Sequence, residues 1–353
     1  MKTLEISHEF CLALDLAKRS AEAAAAPMGA LEKDWKRFPV HSITASPESP
    51  EAIADLLAWL ARVTIPGAIC RLVVVESTGS ISRRFAEALN ATGRLPHVHI
   101  VNPARSKHFL MSQGVRDKTD RIDAAGLALY GARCNLKAPR ELSPSEMQLR
   151  ELTRLREDCI ASRTMWKNRL AEACDKTVRK RIEQKIAAEE RGIESVERDI
   201  ERVLQANPAL AQQVRWIKQV KCLKDVTATT ITGELGDLTR YGRSEITAAA
   251  GVFPKRFTSG ETVKRAPRLA RGGGTHLRRA LYMAATSVFN SKGALREYVE
   301  RRLTAGQKKM QIIGALMRKL LLIARAVVCA GGKHCPEMIG RQQPPCHEGA
   351  QVN

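Results

Sequence analysis

The chain has 353 residues, enough for two or three domains, and its 44% hydrophobic and 27% charged residues are typical of a globular protein. Its formal net charge of +21 indicates a polyanionic partner, although a basic surface that serves only solubility is the alternative. Nine cysteines without a CxxC pair argue against a disulfide framework and predict a cytoplasmic protein. The apolar run from Met310 to Ala330 contains three cations, which argues against a membrane span.

Residues 1–140 are predicted to form an α/β domain with a mostly parallel sheet. Apolar runs predict strands at 10–15, 21–26, 40–44, 71–76 and 97–101, with helices at 50–62 and from the turn after residue 76 to residue 90. Two of these strands end in an acid, Asp15 and Glu76. Because the carboxyl ends of parallel strands meet at one edge, both carboxylates are expected at the same rim of the sheet.

The stretch from Gly114 to Ala124 contains three aspartates spaced three residues apart. If a helix begins here, Asp120 and Asp123 share one face, and paired carboxylates suit hard cations such as Mg2+ or Mn2+. Acids in a first helical turn are also ordinary helix-start residues, so the spacing alone leaves both interpretations open. The carboxylates of Asp15 and Glu76 favour a metal site, because four neighbouring carboxylates repel one another without a cation.

Residues 141–205 are predicted to be a helical connector. Ser143-Pro-Ser-Glu146 is typical of a helix start. Coiled-coil spacing is found at Ile186, Ile193, Val196, Ile200 and Val203. We expect a helical hairpin with a break near residues 174–177, with a single amphipathic helix as the alternative.

Residues 206–330 carry 23 basic against 7 acidic side chains, a net charge of +16. Helices are predicted at 226–235, 244–250, 276–287, 295–303 and 311–328, with a loop or hairpin around the Ser259-Gly260 turn. Glycines 272–274 next to three arginines predict a phosphate-binding turn at a helix start. The predicted nucleic-acid-binding residues are Lys255, Arg256, Lys264, Arg265, Arg268, Arg271, Arg278 and Arg279.

Two further features are less specific. A Ser-Gly turn is most often structural, so the surroundings of Ser259 do not by themselves indicate a nucleophile. The tail, residues 331–353, is predicted to be disordered, and the Cys and His residues around it match no common zinc spacing.

The chain resembles the DEDD transposases of insertion sequences, the family usually called "one-ten", in two ordered sets of motifs. The first set is Asp15-Leu-Ala-Lys18, Glu76-Ser-Thr-Gly79, Val101-Asn-Pro-Ala-Arg105 and Lys118-Thr-Asp120-Arg-Ile-Asp123-Ala124. The second is Gly233-Glu-Leu-Gly236, Ala249-Ala-Gly251, Pro254, Ser259-Gly260, Gly273, Leu277-Arg-Arg-Ala-Leu-Tyr-Met-Ala284 and Arg318-Lys-Leu-Leu321. Departures occur at Lys221–Lys224, where relatives often carry a glycine-rich hairpin, and at Gly272 and Gly274, where basic and polar residues are common.

This resemblance implies a ribonuclease-H-like (RuvC-like) α/β domain at 1–140, a coiled coil at 141–205 and a mostly α transposase domain at 206–330. It implies that Asp15, Glu76, Asp120 and Asp123 bind Mg2+ or Mn2+, with Asp117 outside the tetrad. It also implies that Ser259 attacks a DNA phosphate, that a homo-oligomer (dimer or tetramer) acts on element ends and target, and that a noncoding RNA guides it. The alternatives are a junction-resolvase-like, metal-dependent nuclease and a catalytically silent nucleic-acid-binding protein.

Overall fold

The computed structural model describes residues 6, 8–30, 32–114, 119–134, 136, 142–259, 263–269, 274–293 and 295–333. Within these ranges the side chains of residues 32–34 and 255–268 are not described. The chain divides into two compact units, Met1–Glu141 and Leu142–Asn353. Nearly all of the predicted tail lies outside the described residues.

The first unit contains a five-stranded sheet in the order β3-β2-β1-β4-β5. Its strands are β1 (Glu9–Leu16), β2 (Ala21–Pro27), β3 (Val40–Ile43), β4 (Ile69–Glu76) and β5 (Val98–Val101). β1, β4 and β5 are parallel, whereas β2 runs antiparallel to both β1 and β3. The prediction of a mostly parallel sheet is therefore wrong for β2, because the short link from β1 to β2 leaves no room for a crossover.

Helices cover both faces of this sheet. One face packs against α1 (Pro50–Val63) and α2 (Ser80–Asn90), and the other packs against α4 (Asp120–Arg133), which follows α3 (Pro103–Ser112). The start of α1 matches its sequence signature, because the Ser49 side chain accepts a hydrogen bond from the Ala52 amide and Pro50 occupies the first turn. A short 3-10 helix, Glu32–Arg37, precedes β3.

The second unit is mostly helical. Its helices are α5 (Pro144–Glu172), α6 (Lys176–Ala206), α7 (Pro208–Lys218), α8 (Asp225–Leu235), α9 (Arg243–Ala249), α10 (Thr275–Asn290), α11 (Arg296–Thr304) and α12 (Lys309–Cys329). A hairpin of β6 (Pro254–Ser259) and β7 (Val263–Leu269) lies between α9 and α10. The core of this unit includes α12, which is buried along most of its length. Across the described ranges, no helix is both long and apolar enough to span a bilayer.

The connector is a pair of helices, as the predicted break near residue 174 requires. α5 and α6 run antiparallel, since Arg179 donates a hydrogen bond to the Leu170 carbonyl oxygen (3.0 Å), Ser162 donates one to Glu189 (2.7 Å), and Gly192 lies beside Cys159. The predicted apolar seam of α6 is buried, at Ile186, Ile193, Val196, Ile200 and Val203. A single amphipathic helix is therefore excluded for this segment.

Candidate functional site

Three carboxylates form one row across the sheet of the first unit. Leu14 of β1 is opposite Val75 of β4, and both belong to the core shared with α1 and α2. Because side chains alternate along a strand, Asp15 and Glu76 project from the other face. Glu22 of β2 is paired directly with Asp15 and projects from that same face.

The helix that covers this face begins with the other two predicted site residues. Thr119 caps α4 by accepting a hydrogen bond from the Ile122 amide (3.3 Å), and the first turn contains Asp120 and Asp123. The predicted helix start is thus confirmed, whereas Asp117 lies outside the described residues. Residues three apart share one face of a helix, so these two carboxylates can act on a common neighbour.

α4 lies unusually close to the sheet. A Cβ added at Gly131 would stand 2.3 Å from Cys11 Sγ and 2.9 Å from Val74 Cγ2, so only glycine allows this approach. Cys11 is fully buried, and this burial raises the pKa of its thiol well above the usual range. The Cys11 thiol therefore acts as a small apolar side chain under the helix.

Glu76 is oriented by a residue that the sequence analysis did not select. The Ser106 hydroxyl on α3 donates a hydrogen bond to Glu76 Oε1 and also contacts the Pro103 carbonyl oxygen at 3.1 Å. Asn102 caps α3 through the Ala104 amide (2.8 Å), so the Asn-Pro pair that ends β5 also begins a helix. The Asn-Pro cap was the sequence signal that could have predicted α3, and with it the position of Ser106.

The donor set of this face fits a hard cation in its chemistry. All the candidate ligands are carboxylates, and Glu22 Oε2 is a buried oxygen without a hydrogen-bond partner. A buried oxygen without a partner is energetically costly, and a divalent cation would compensate for it. As the side chains stand, no three His, Cys, Asp or Glu groups within the described ranges lie close enough together to hold an ion.

In the second unit, Ser259 is the last residue of β6 and pairs with Val263 of β7. The hairpin interpretation of this loop is therefore confirmed for its two strands, whereas Gly260 lies outside the described residues. The side chains of Ser259, Lys255, Arg256, Lys264, Arg265 and Arg268, and the whole of Arg271, also lie outside them.

The predicted phosphate-binding turn precedes α10, whose first described residues are close to two carboxylates. Glu157 of α5 accepts a hydrogen bond from Arg279 and is hydrogen-bonded to His276 Nδ1. Glu234 of α8 lies beside Gly274, the residue that caps α10. These carboxylates already compensate part of the positive charge that the sequence analysis assigned to phosphate binding.

Glu234 is held by a further cation. Arg154 of α5 donates two hydrogen bonds to its carboxylate, at 2.6 and 2.8 Å, and this pairing raises the pKa of the arginine. Glu234 is only 6% exposed, so the pair links α5 and α8 beneath the start of α10.

Two family models match the chain, in the same order as its two sets of motifs. The first, a DEDD-type IS110 model described as a transposase, matches residues 13–178. The second, described as the transposase IS116/IS110/IS902 family, matches residues 214–300, and together the two matches cover more than half of the chain. This chain belongs to the IS110 family of transposases. The first match spans Asp15, Glu76, Asp120 and Asp123 of the IS110 transposase, and the second spans Ser259.

The IS110 transposase is also similar to two curated proteins named pilin gene-inverting protein, from Moraxella bovis and Moraxella lacunata. Each is 29% identical to it over 259 residues, which are 72% of this chain and 79% of the relative. The family matches and the two relatives together support the conclusion that this protein is an enzyme that transposes or recombines DNA.

Proposed function

We propose that this transposase cuts and rejoins DNA through a phosphoserine at Ser259, with Mg2+ or Mn2+ bound by Asp15, Glu76, Asp120 and Asp123. One observation carries the proposal. Asp15 and Glu76 project from the sheet face that α4 covers, and the first turn of α4 contains the other two acids.

The distances along α4 and β1 support our proposal that these four acids lie close together. Gly131 lies on Cys11, and Asp15 follows Cys11 by four residues, about 13 Å along the strand. Asp123 precedes Gly131 by eight residues, about 12 Å along the helix. If the two elements run antiparallel, the start of α4 covers Asp15.

The proposed reaction conserves the energy of the phosphodiester. Ser259 Oγ forms a bond to phosphorus while the bond to one DNA oxygen breaks, the serine proton is lost to a base, and the released DNA hydroxyl takes up a proton. Attack by a hydroxyl of another strand reverses these steps and frees the serine. A bound divalent cation would neutralise phosphate charge in both steps.

The names of the relatives favour rejoining over simple hydrolysis. Inversion of a gene requires that each cut end be joined again, and a covalent intermediate provides that continuity. Joining several ends calls for more than one active subunit, so we propose a homo-oligomer, a dimer or a tetramer. We also propose that a noncoding RNA from the element selects the DNA, and that the connector helices form a coiled coil.

A matched pair of aspartate variants tests the tetrad. We expect Asp123→Asn to abolish strand exchange on DNA that carries the element's ends, because a metal ligand is lost, while DNA affinity and fold remain. Asp117→Asn removes the same charge six residues earlier and should recombine normally. Titration calorimetry with Mn2+ should show weaker binding for the first variant only. Full recombination by Asp123→Asn would refute the assignment.

The alternative function is a metal-dependent, structure-selective nuclease, which the carboxylate row would also suit. Ser259→Ala separates the two functions. If the protein is a nuclease, Ser259→Ala should still cut junction DNA without joining it. If the protein is a serine recombinase, the same variant should neither cut nor join DNA.

A further inference from the structure

Three cations surround one aromatic ring on the second unit, and none of them belongs to the proposed tetrad or to the Ser259 hairpin. Arg302 and Lys319 lie 4.7 and 4.6 Å from the centre of the Tyr298 ring, and Arg301 lies at 5.8 Å. Tyr298, Arg301 and Arg302 belong to α11, and Lys319 belongs to α12. We call these four residues the Tyr298 cluster.

The cluster has no compensating carboxylate among the described side chains. Arg302 donates a hydrogen bond to the neutral Gln307 (2.7 Å), and the nearby Glu300 pairs with Arg296 (2.7 Å). Burial lowers the pKa of Lys319, and the charges of Arg301 and Arg302 lower it further. The ring holds the cations in place through its negative face but does not neutralise them.

We propose that the Tyr298 cluster binds the phosphodiester backbone of nucleic acid. Closely spaced cations without an anion are complementary to a phosphate, which would offset the repulsion among them. The cations lie over the ring, at 4.6 to 5.8 Å from its centre, so we expect the cluster to bind through their charges. The cluster is therefore expected to bind the sugar-phosphate backbone whatever the base sequence of the nucleic acid.

This contact is separate from the Ser259 hairpin. Leu269, at the base of the hairpin, packs against Gly314 of α12. Lys319 follows Gly314 by five residues, which turns the helix by about 140° and directs the lysine to another side. The inference therefore requires neither the serine nor the tetrad, and it can be tested when no DNA is cut.

Salt-dependent binding tests this inference. Affinity is measured by fluorescence anisotropy at several salt concentrations for two duplex DNAs of unrelated sequence and for an RNA duplex that has the sequence of one of them. The variants are Lys319→Gln, Arg301→Gln and the triple variant that also contains Arg302→Gln. Each lost cation should reduce the slope of log affinity against log salt by about one. The triple variant, which loses about three, should bind roughly a hundredfold more weakly at a salt concentration of about 0.2 M.

The controls separate local from general charge effects. Arg202→Gln removes one charge from α6, where the arginine is 72% exposed and pairs with Asp199, and should leave the slope almost unchanged. Lys319→Arg keeps the charge and should keep the affinity. Arg301 is exposed, so Arg301→Gln should preserve the fold, which amide hydrogen exchange checks.

A reduced slope on DNA supports a DNA backbone as the ligand, and a reduction on RNA alone supports an RNA backbone. Unchanged slopes on both, or an effect on one sequence only, would overturn the inference.

Discussion

Glu22 shows that the pattern of one strand does not predict which residues lie beside it on the neighbouring strand. Asp15 and Glu76 were predicted because each ends an apolar run, whereas Glu22 is the second residue of an alanine-rich strand. Its position beside Asp15 depends on the pairing of β1 with β2, and a shift of one residue would turn it to the other face. The sequence therefore indicated the proposed tetrad but not its half-buried neighbour Glu22.

We expect Glu22→Gln to weaken Mn2+ and Mg2+ binding by about tenfold, because residues around metal ligands contribute on this scale. The measurement is titration calorimetry on the full-length protein without DNA. Glu9→Gln is the matched control, since it removes an equal charge from the opposite end of β1. Equal affinities for the Glu22 variant and the wild type would exclude a role for Glu22 at the proposed metal site.

At the scale of elements, the start of α4 was predicted from the sequence, whereas the rest of the helix was not. Its residues from Ala124 to Ala132 are all buried, so the helix has no polar stripe and no 3.6-residue pattern. Its close approach to the sheet depends on small residues: Gly131 on the helix, and Ala24 and Ala26 on β2. Packing of this kind depends on partners that are distant in sequence.

Two glycine variants test whether this close approach fixes α4. Gly131→Ala should destabilise α4 by about 1–3 kcal/mol, because the added methyl group overlaps with Cys11 and Val74. Gly192→Ala should stabilise α6 by about 0.5–1 kcal/mol, because its nearest neighbour, Cys159 Sγ, is 3.8 Å away and alanine favours a helix.

Hydrogen exchange followed by mass spectrometry measures both effects, since α4 and α6 belong to different units. Strand exchange should fall with the protection of α4, because this helix carries Asp120 and Asp123. An increase in protection for both variants would show that α4 does not need its close contact with the sheet.

At the scale of the whole molecule, the sequence predicted where positive charge accumulates but not where it is compensated. The excess of +16 in residues 206–330 was evident from composition. The structure shows that Arg279 pairs with Glu157, whereas the Tyr298 cluster has no acidic partner within the described residues. Such pairings join residues more than a hundred positions apart and leave no local pattern.

The order of the strands and helices could be predicted from the sequence more fully than the pairing of charges. The predicted strands of the first unit and the break between α5 and α6 follow from periodicity, proline and capping signals, and all are present. α3 and α7 were not predicted, although each begins with an Asn-Pro pair that marks a helix start. The antiparallel direction of β2 was not predicted, although the short link that follows β1 excludes a parallel crossover.

The most direct test of the proposed mechanism is the chemical identification of the protein–DNA adduct. The transposase is incubated with Mg2+ and DNA that carries the element's ends, the reaction is quenched in denaturant, and digested peptides are mapped by mass spectrometry. We predict a nucleotide attached to the peptide that contains Ser259. The adduct should be absent in Ser259→Ala and present in Thr258→Ala, which removes the hydroxyl of the preceding residue. Cleavage without an adduct, an adduct on another residue, or normal cleavage by Ser259→Ala would contradict the account.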